Sequence, residues 1–334
     1  MTLTIAPMEG VVDIYMRDIL TRIGGFDLCV SEFVRASQTV YPASTFYKYC
    51  PELLSGGRTA AGVPVHVQLM GGNPTLLAEN AEFVASLGAL GIDLNFGCPA
   101  KTVNRRDAGA TLLQWPDRLH DIVAAVRKAV PETIPVSAKI RLGFADKTLS
   151  LENAQAIESA GASKLTVHAR TKLEGYRAPA HWEYLAPIRE SLTIPVVANG
   201  EIWTKEDFET CKQISGCEHF MVGRGVIARP SLGLEIAGVE AQKFSWKKIL
   251  LLLLEYRTLI EEMEGTSLRQ AGRLKQWIKL IGRTYEESNE FFARIRRIQS
   301  PDDINDELLR LSEDLRVRDA IGESDIAPLH ASAL

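Results

Sequence analysis

The chain has 334 residues, of which 46% are hydrophobic and 24% charged, and its formal net charge is −4. That length exceeds one average domain, and so ordinary a composition argues against disorder, collagen and long coiled coil. The small negative balance excludes a whole-protein field that would draw in nucleic acid, so any such surface has to be a local patch.

From the N-terminus the chain reads as a repeating strand-then-helix rhythm. Strands are expected at Leu3–Met8, Phe26–Phe33, Val63–Met70, Gly91–Gly97, Pro135–Leu142, Lys164–Ala169, Ile194–Asn199 and His219–Gly223. Several are near-continuous apolar runs, the mark of strands covered on both faces. Amphipathic stretches lie between them, among them Asn73–Leu87, Trp115–Ala129, Leu151–Ala160 and Lys205–Ile214. Pro74 and Pro116 stand where a helix would start, which suits proline's fixed φ. Eight such units fit a (β/α)8 TIM barrel over residues 1–240. A doubly wound open sheet is the competing arrangement, but no GxGxxG follows the first strand.

Near Phe244 the strands stop, and residues 244–334 are expected to form a small all-helical C-terminal domain. Its first helix, Trp246–Glu264, carries the longest aliphatic run, Ile249–Leu254. A membrane span needs about 20 apolar residues, so this run reads as a buried helix face and no membrane partner is expected. No basic-then-apolar leader precedes the first strand, so no secretion signal is expected either. In Leu268–Arg283 the apolar residues Leu274, Trp277, Ile278 and Ile281 follow helical spacing. Arg269, Arg273, Lys275, Lys279 and Arg283 fall on the opposite half. Residues 269–297 hold eight basic and three acidic side chains, whereas residues 301–334 hold three basic and nine acidic, which hides the basic stripe in the totals. The five cysteines (Cys29, Cys50, Cys98, Cys211 and Cys217) are an odd number without CxxC spacing. That points to reduced thiols in a cytoplasmic setting and away from a zinc site.

The stretch Leu90–Leu113 carries the chemistry. Ile92, Leu94 and Phe96 alternate with Asp93, Asn95 and Gly97 as a strand, which then breaks at Gly97-Cys98-Pro99. Cys98 is thus expected on a tight corner past a strand end, with Asn95, Lys101, Arg105 and Arg106 close by. The other strand ends are also polar, with Glu9, Gln68, Lys139, His168, Arg170, Asn199, Glu201 and Arg224. Polar groups inside apolar strands are costly unless paired, and this rim is where such barrels place their active sites. Lys139 would form a Schiff base, pair a carboxylate or hold the electron-rich edge of a flavin. His168 has the competing reading of a core histidine with one hydrogen bond. The glycine turns at Asn199-Gly200-Glu201 and Gly223-Arg224-Gly225 match where such barrels bind a phosphate. Cys29, Cys50, Cys211 and Cys217 read as packing cysteines.

The run Asn95-Phe96-Gly97-Cys98-Pro99-Ala100-Lys101-Thr102-Val103, followed by Gly109-Ala110, resembles the signature of the tRNA-dihydrouridine synthases. The N-terminal Ala-Pro-Met, the Lys139 strand, His168-Ala169-Arg170, Asn199-Gly200 and Gly223-Arg224-Gly225 follow in that family's order, so the resemblance covers nearly the whole chain. The local runs that begin at Pro7, Ser31 and Asn199 resemble the bacterial C-type branch, which acts on uridine 16 of the tRNA D-loop. Glu201 stands where many relatives have Asp.

The resemblance implies FMN at the barrel mouth, reduced by NADPH or NADH. It implies that Pro7, Met8, Glu9, Gln68, Lys139, His168, Asn199, Gly200, Glu201, Gly223 and Arg224 hold the flavin. Lys139 would sit at its pyrimidine edge, and Gly200, Gly223 and Arg224 would hold its phosphate. Cys98 would be the general acid, since a thiol with a pKa of about 8.5 is protonated at neutral pH yet able to donate. Asn95 and Arg170 would hydrogen-bond the uracil carbonyls. Arg35, Tyr176, Arg273, Lys275, Lys279 and Arg294 would contact tRNA, with Lys101 and Arg105 assisting. The protein is expected to act as a monomer. Rival readings are a flavin barrel reducing a free pyrimidine or an enone, a Schiff-base aldolase built on Lys139, and a non-catalytic tRNA-binding protein.

Overall fold

The computed structural model describes residues 1–36, 38–100, 107–239, 242–264 and 268–319. Eight parallel strands close into a barrel in chain order: β1 (Thr2–Ile5), β2 (Leu28–Arg35), β3 (Val65–Met70), β4 (Ile92–Asn95), β5 (Val136–Gly143), β6 (Lys164–Thr171), β7 (Val196–Asn199) and β8 (His219–Val222). Helices stand between the strands, and β8 closes on β1 with Val222 opposite Ile5. This is the TIM architecture.

All eight strands lie where the apolar runs place them, and the differences are at their ends. β1 stops at Ile5: the Ala6 N–H still reaches the Val222 carbonyl at 2.9 Å, but Pro7 has no N–H to carry the ladder on. β2 runs on to Arg35 because its register shifts between Val30 and Phe33, which lets it pair as far as Met70.

The helices are anchored by local chemistry. Asn73 Oδ1 accepts the Leu76 N–H at 3.1 Å ahead of the helix Pro74–Ser86. Thr204 and Asp207 form a reciprocal capping box on the helix Lys205–Ser215. The helix Ile14–Ile23 is absent from the sequence-based expectation. Its inner face carries Arg17, fully buried and 2.7 Å from Glu52, so a charge interrupts the apolar period.

Along the strands one alternate set of residues is apolar (Leu94, Ala138, Leu165) and the other largely polar (Asp93, Asn95, Ser137, Lys139, His168). The polar set meets across neighbouring strands inside the barrel. A small apolar cluster of Ala6, Val30, Val197 and Met221 fills the opposite side of the interior.

The chain divides into two compact units, Met1–Lys243 and Phe244–Leu334. The second is helical, with Trp246–Glu264, Leu268–Ile281, Glu286–Ile295 and Pro301–Asp319. Tyr256 and Trp277 meet edge to face at 4.9 Å in its core. Among the described residues no helix is long and apolar enough to cross a membrane.

Candidate active site

The corner after β4 is built by Asn95. Its Oδ1 accepts the N–H groups of Gly97 and Cys98, each at 3.0 Å, which turns the chain sharply and presents Cys98 beyond the strand end. Asn95 Nδ2 donates to Gln68 Oε1 at 2.8 Å, and Gln68 Nε2 donates to Asp93 Oδ2 at 2.7 Å. Ser137 Oγ completes this relay by donating to Asp93 Oδ1 at 2.6 Å. Asn95 and Gln68 are thus tied to the corner itself, a use their positions in the sequence do not announce. Cys98 packs against Phe33, Met70 and Ala108, and burial pushes its thiol above the ordinary cysteine value. Lys101 and Arg105 lie outside the described residues.

Beside this corner four cations converge. Lys139 Nζ donates to Asn199 Oδ1 at 3.0 Å, and Asn199 Nδ2 donates to the Met221 carbonyl at 2.7 Å. Burial, and then the neighbouring Arg141, pull Lys139 down to about 8. Arg141 donates to the carbonyls of Gly97 (2.8 Å), Thr171 (3.1 Å) and Gly175 (2.7 Å), joining the Cys98 corner to the loop after β6. Arg170 is fully buried, ion-paired to Glu201 and donating to the Pro179 carbonyl at 3.2 Å. Burial, with Arg224 and Arg141 nearby, lowers it to about 10. The Arg224 guanidinium lies 4.6 Å from the Tyr176 ring centre and 4.9 Å from that of Trp203. His168 is held well below the imidazole value by burial and by Arg141, Lys139, Arg170 and Arg224, so it is neutral. Its buried Nδ1 has no hydrogen-bond partner among the described residues.

The glycine turns shape the same rim. Gly200 has φ +114° and Glu201 φ 61°, a left-handed pair that turns the chain directly after β7. Trp203 Nε1 holds Glu201 Oε1 at 3.0 Å, and Trp182 Nε1 holds the Gly200 carbonyl at 2.8 Å. A Cβ on Gly223 would lie 3.3 Å from Met8 Sδ, so this turn packs directly on the segment after β1. Arg35 pairs with Glu9 at 3.0 Å on the exposed surface.

In the helical unit Leu274, Trp277, Ile278 and Ile281 are buried and Lys279 is exposed. Lys275 instead donates to the carbonyls of Arg296 and Ile298, tying two helices together. Arg294 pairs with Glu307 at 2.5 Å, and Arg273 is half-buried. Asp93 and Arg141 are absent from the sequence-based site. Each lies two residues along a strand from a residue that is in it (Asn95 and Lys139), and that same-face spacing is the signal that would have found them.

The family model described as Dihydrouridine synthase (Dus) matches residues 4–312. A tRNA-dihydrouridine(16) synthase of Aquipseudomonas alcaligenes is 50% identical over 317 residues, covering 93% of this chain and 100% of that protein. One of Pseudomonas putida is 48% identical over 332 residues, 98% and 100% of the two chains. One of Haemophilus influenzae is 42% identical over 314 residues, 94% and 100% of the two. Among solved structures, a 2-naphthoyl-CoA reductase complex is similar with a TM-score of 0.55 at 12% identity, covering 71% of this chain and 50% of that one. Morphinone reductase is similar with a TM-score of 0.51 at 10% identity, covering 73% and 87%. Similarity at that identity speaks for the barrel alone, whereas the family match runs from β1 into the last helix. The chain belongs to the dihydrouridine synthase family.

Proposed function

We propose that this chain reduces the C5=C6 bond of a uridine in the tRNA D-loop to 5,6-dihydrouridine, using FMN and a nicotinamide reductant, NADPH or NADH. Position 16, as in the names of its relatives, is the uridine we assign. The observation that carries the reading is a partly buried thiol on a capped corner, set beside a rim of mutually repelling cations.

The rim fits FMN. Burial lowers Lys139, Arg141 and Arg170, and a neighbouring cation adds to each: Arg141 on Lys139, Arg224 on Arg141, and Arg224 with Arg141 on Arg170. That arrangement favours an anion such as a phosphate or the electron-rich edge of a reduced flavin. His168 Nδ1, buried without a hydrogen-bond partner among the described residues, adds a polar atom on a ring that the same cations act upon. Pro7, Met8, Glu9, Gln68, Lys139, His168, Asn199, Gly200, Glu201, Gly223 and Arg224 would hold the flavin, and the backbone of the two glycine turns with Arg224 would hold its phosphate. When bound and reduced, FMN supplies hydride to uracil C6.

The protein's own share is the proton and the hold on the base. Cys98 holds a proton for uracil C5, and its raised pKa keeps it in the donating form at neutral pH. Arg141, bonded to the Gly97 carbonyl beside Cys98, would put positive charge near the enolate that forms on the C4 carbonyl, while Lys139 would serve the flavin. Asn95 Nδ2 has one N–H without a partner among the described residues, which would orient the base, and Arg170 would bias the same region through its charge. Tyr176, more than half exposed beside Arg141 and Arg224, offers a ring on which a drawn-out base would stack. Arg35, Arg273, Lys279 and Arg294, with Lys101 and Arg105, would meet phosphates. Lys275 would support this surface from within. We assign the protein to the cytoplasm, acting as a monomer on tRNA.

The test uses purified protein, NADPH and unmodified tRNA. Flavin absorbance that bleaches with NADPH, with dihydrouridine appearing in the D-loop, is the expected result. Cys98→Ala should keep the flavin and tRNA binding but lose dihydrouridine formation. A colourless protein, or undiminished turnover by the alanine variant, would overturn the reading.

A further inference from the structure

We infer that Asp93 is a positioning residue that fixes the Cys98 corner through Gln68 and Asn95. The inference rests on Cys98 being the proton donor proposed above. The direction of every hydrogen bond in the relay is set from its upper end. The N–H groups of Gly97 and Cys98 only donate, so Asn95 must turn Oδ1 to them and Nδ2 to Gln68. Gln68 must then offer Oε1 to Asn95, which leaves Nε2 aimed at Asp93. Asp93 is the terminal acceptor, with Ser137 holding its second oxygen.

Gln68, Asp93, Asn95 and Ser137 are all buried, so bulk water does not replace a lost partner. An amide left without its acceptor can rotate, and a rotated Gln68 presents Nε2 to Asn95 Nδ2, donor against donor. Asn95 then rotates in turn and releases the two N–H groups that shape the corner. A side chain at the middle of β4 thus sets the position of a thiol three residues beyond the strand's end.

The experiment separates acceptor from charge. Asp93→Val keeps a branched strand residue but offers no acceptor. Asp93→Asn removes the same ionisable group, which burial pushes up and Lys164 and Lys139 draw back, and keeps an oxygen for Gln68 while Ser137 turns to accept from the new amide. Two readouts are taken on the flavin-loaded protein: steady-state kinetics with tRNA, and the pH profile of iodoacetamide alkylation. Cys29, Cys50, Cys211 and Cys217 are at most 1% exposed, so alkylation reads Cys98.

Asp93→Val should lower kcat on the order of 100-fold, as expected for a reacting group displaced by about 1 Å. Its alkylation should speed up, with a midpoint falling toward the free-thiol value of about 8.5. Asp93→Asn should stay close to the parent in both. A valine variant with parental kcat and alkylation profile overturns the inference. So does an asparagine variant as impaired as the valine one, because charge would then be the cause.

If Asp93→Val does not fold, a paired exchange decides. Asn95→Asp alone sets two carboxylates against Gln68 and should disturb the alkylation profile. Asp93→Asn added to it lets the relay run with reversed polarity and should restore that profile; no restoration overturns the relay. Alkylation is independent of the reaction on tRNA and is read on flavin-free protein as well, so failure of the proposed function leaves this test standing.

Discussion

At the scale of single residues, Lys139 is the group whose charge state the surroundings control most directly. Its ordinary pKa of about 10.4 is drawn down to about 8 by burial and by Arg141. In the ligand-free protein Lys139 therefore sheds its proton as pH rises through 8. The unfolded chain keeps that proton until about 10.4, so the ligand-free fold gains stability across this window. Flavin binding has the opposite sign, because an anionic edge or phosphate favours the protonated amine. FMN affinity should be flat below pH 7 and weaken above 8, by at most about tenfold per pH unit. Lys139→Met should bind more weakly at pH 7 and flatten the profile. Fluorescence titration of flavin-free protein measures both; a parent whose affinity does not change between pH 7 and 9 would remove Lys139 from the flavin site.

At the scale of elements, the strands were legible because burial on both faces leaves a near-continuous apolar run in several of them and a strict alternation in the strand before Cys98. The Cys98 loop was legible because glycine and proline break such a run. What escaped the sequence is cross-strand pairing: nothing local in Asp93 shows that Gln68 and Ser137 will meet it, and nothing in Arg141 shows that three carbonyls await it. Lys275 escaped likewise, since helical spacing gives its side of the helix but not the carbonyls of Arg296 and Ile298 that it reaches. The capping box at Thr204 shows an element's end serving the site. Asp207 Oδ2 accepts the N–H groups of Trp203 (2.9 Å) and Thr204 (3.0 Å), so the helix cap also fixes the segment that sets Trp203 against Arg224. Thr204→Ala should cost about 1 kcal/mol and lower the melting temperature by roughly 2–4 °C. The capping aspartate remains, so FMN affinity should change far less; a large loss of affinity with no thermal shift would contradict this division of labour.

At the scale of the whole molecule, an acidic chain that works on a polyanion must concentrate its positive charge. The basic side chains of residues 269–297 do this, while the acidic surplus falls in residues 301–334. Not every cation in the stripe is equally available. Lys275 is tied to backbone carbonyls, and reversing its charge would set a carboxylate against them, so a loss of tRNA binding there would not distinguish contact from local unfolding. Lys279 is exposed on the same helix and is the cleaner probe. If it meets a phosphate, Lys279→Glu should raise KM for tRNA and lower the slope of log KM against log salt by about 1. Because Leu274, Trp277, Ile278 and Ile281 remain buried on the other face, the melting temperature of the helical unit should hold, and the flavin spectrum of the barrel should not change. A parental salt slope in the Lys279 variant would take this phosphate contact away from the stripe and leave the exposed rim around Tyr176 and Arg35 as the surface that grips tRNA.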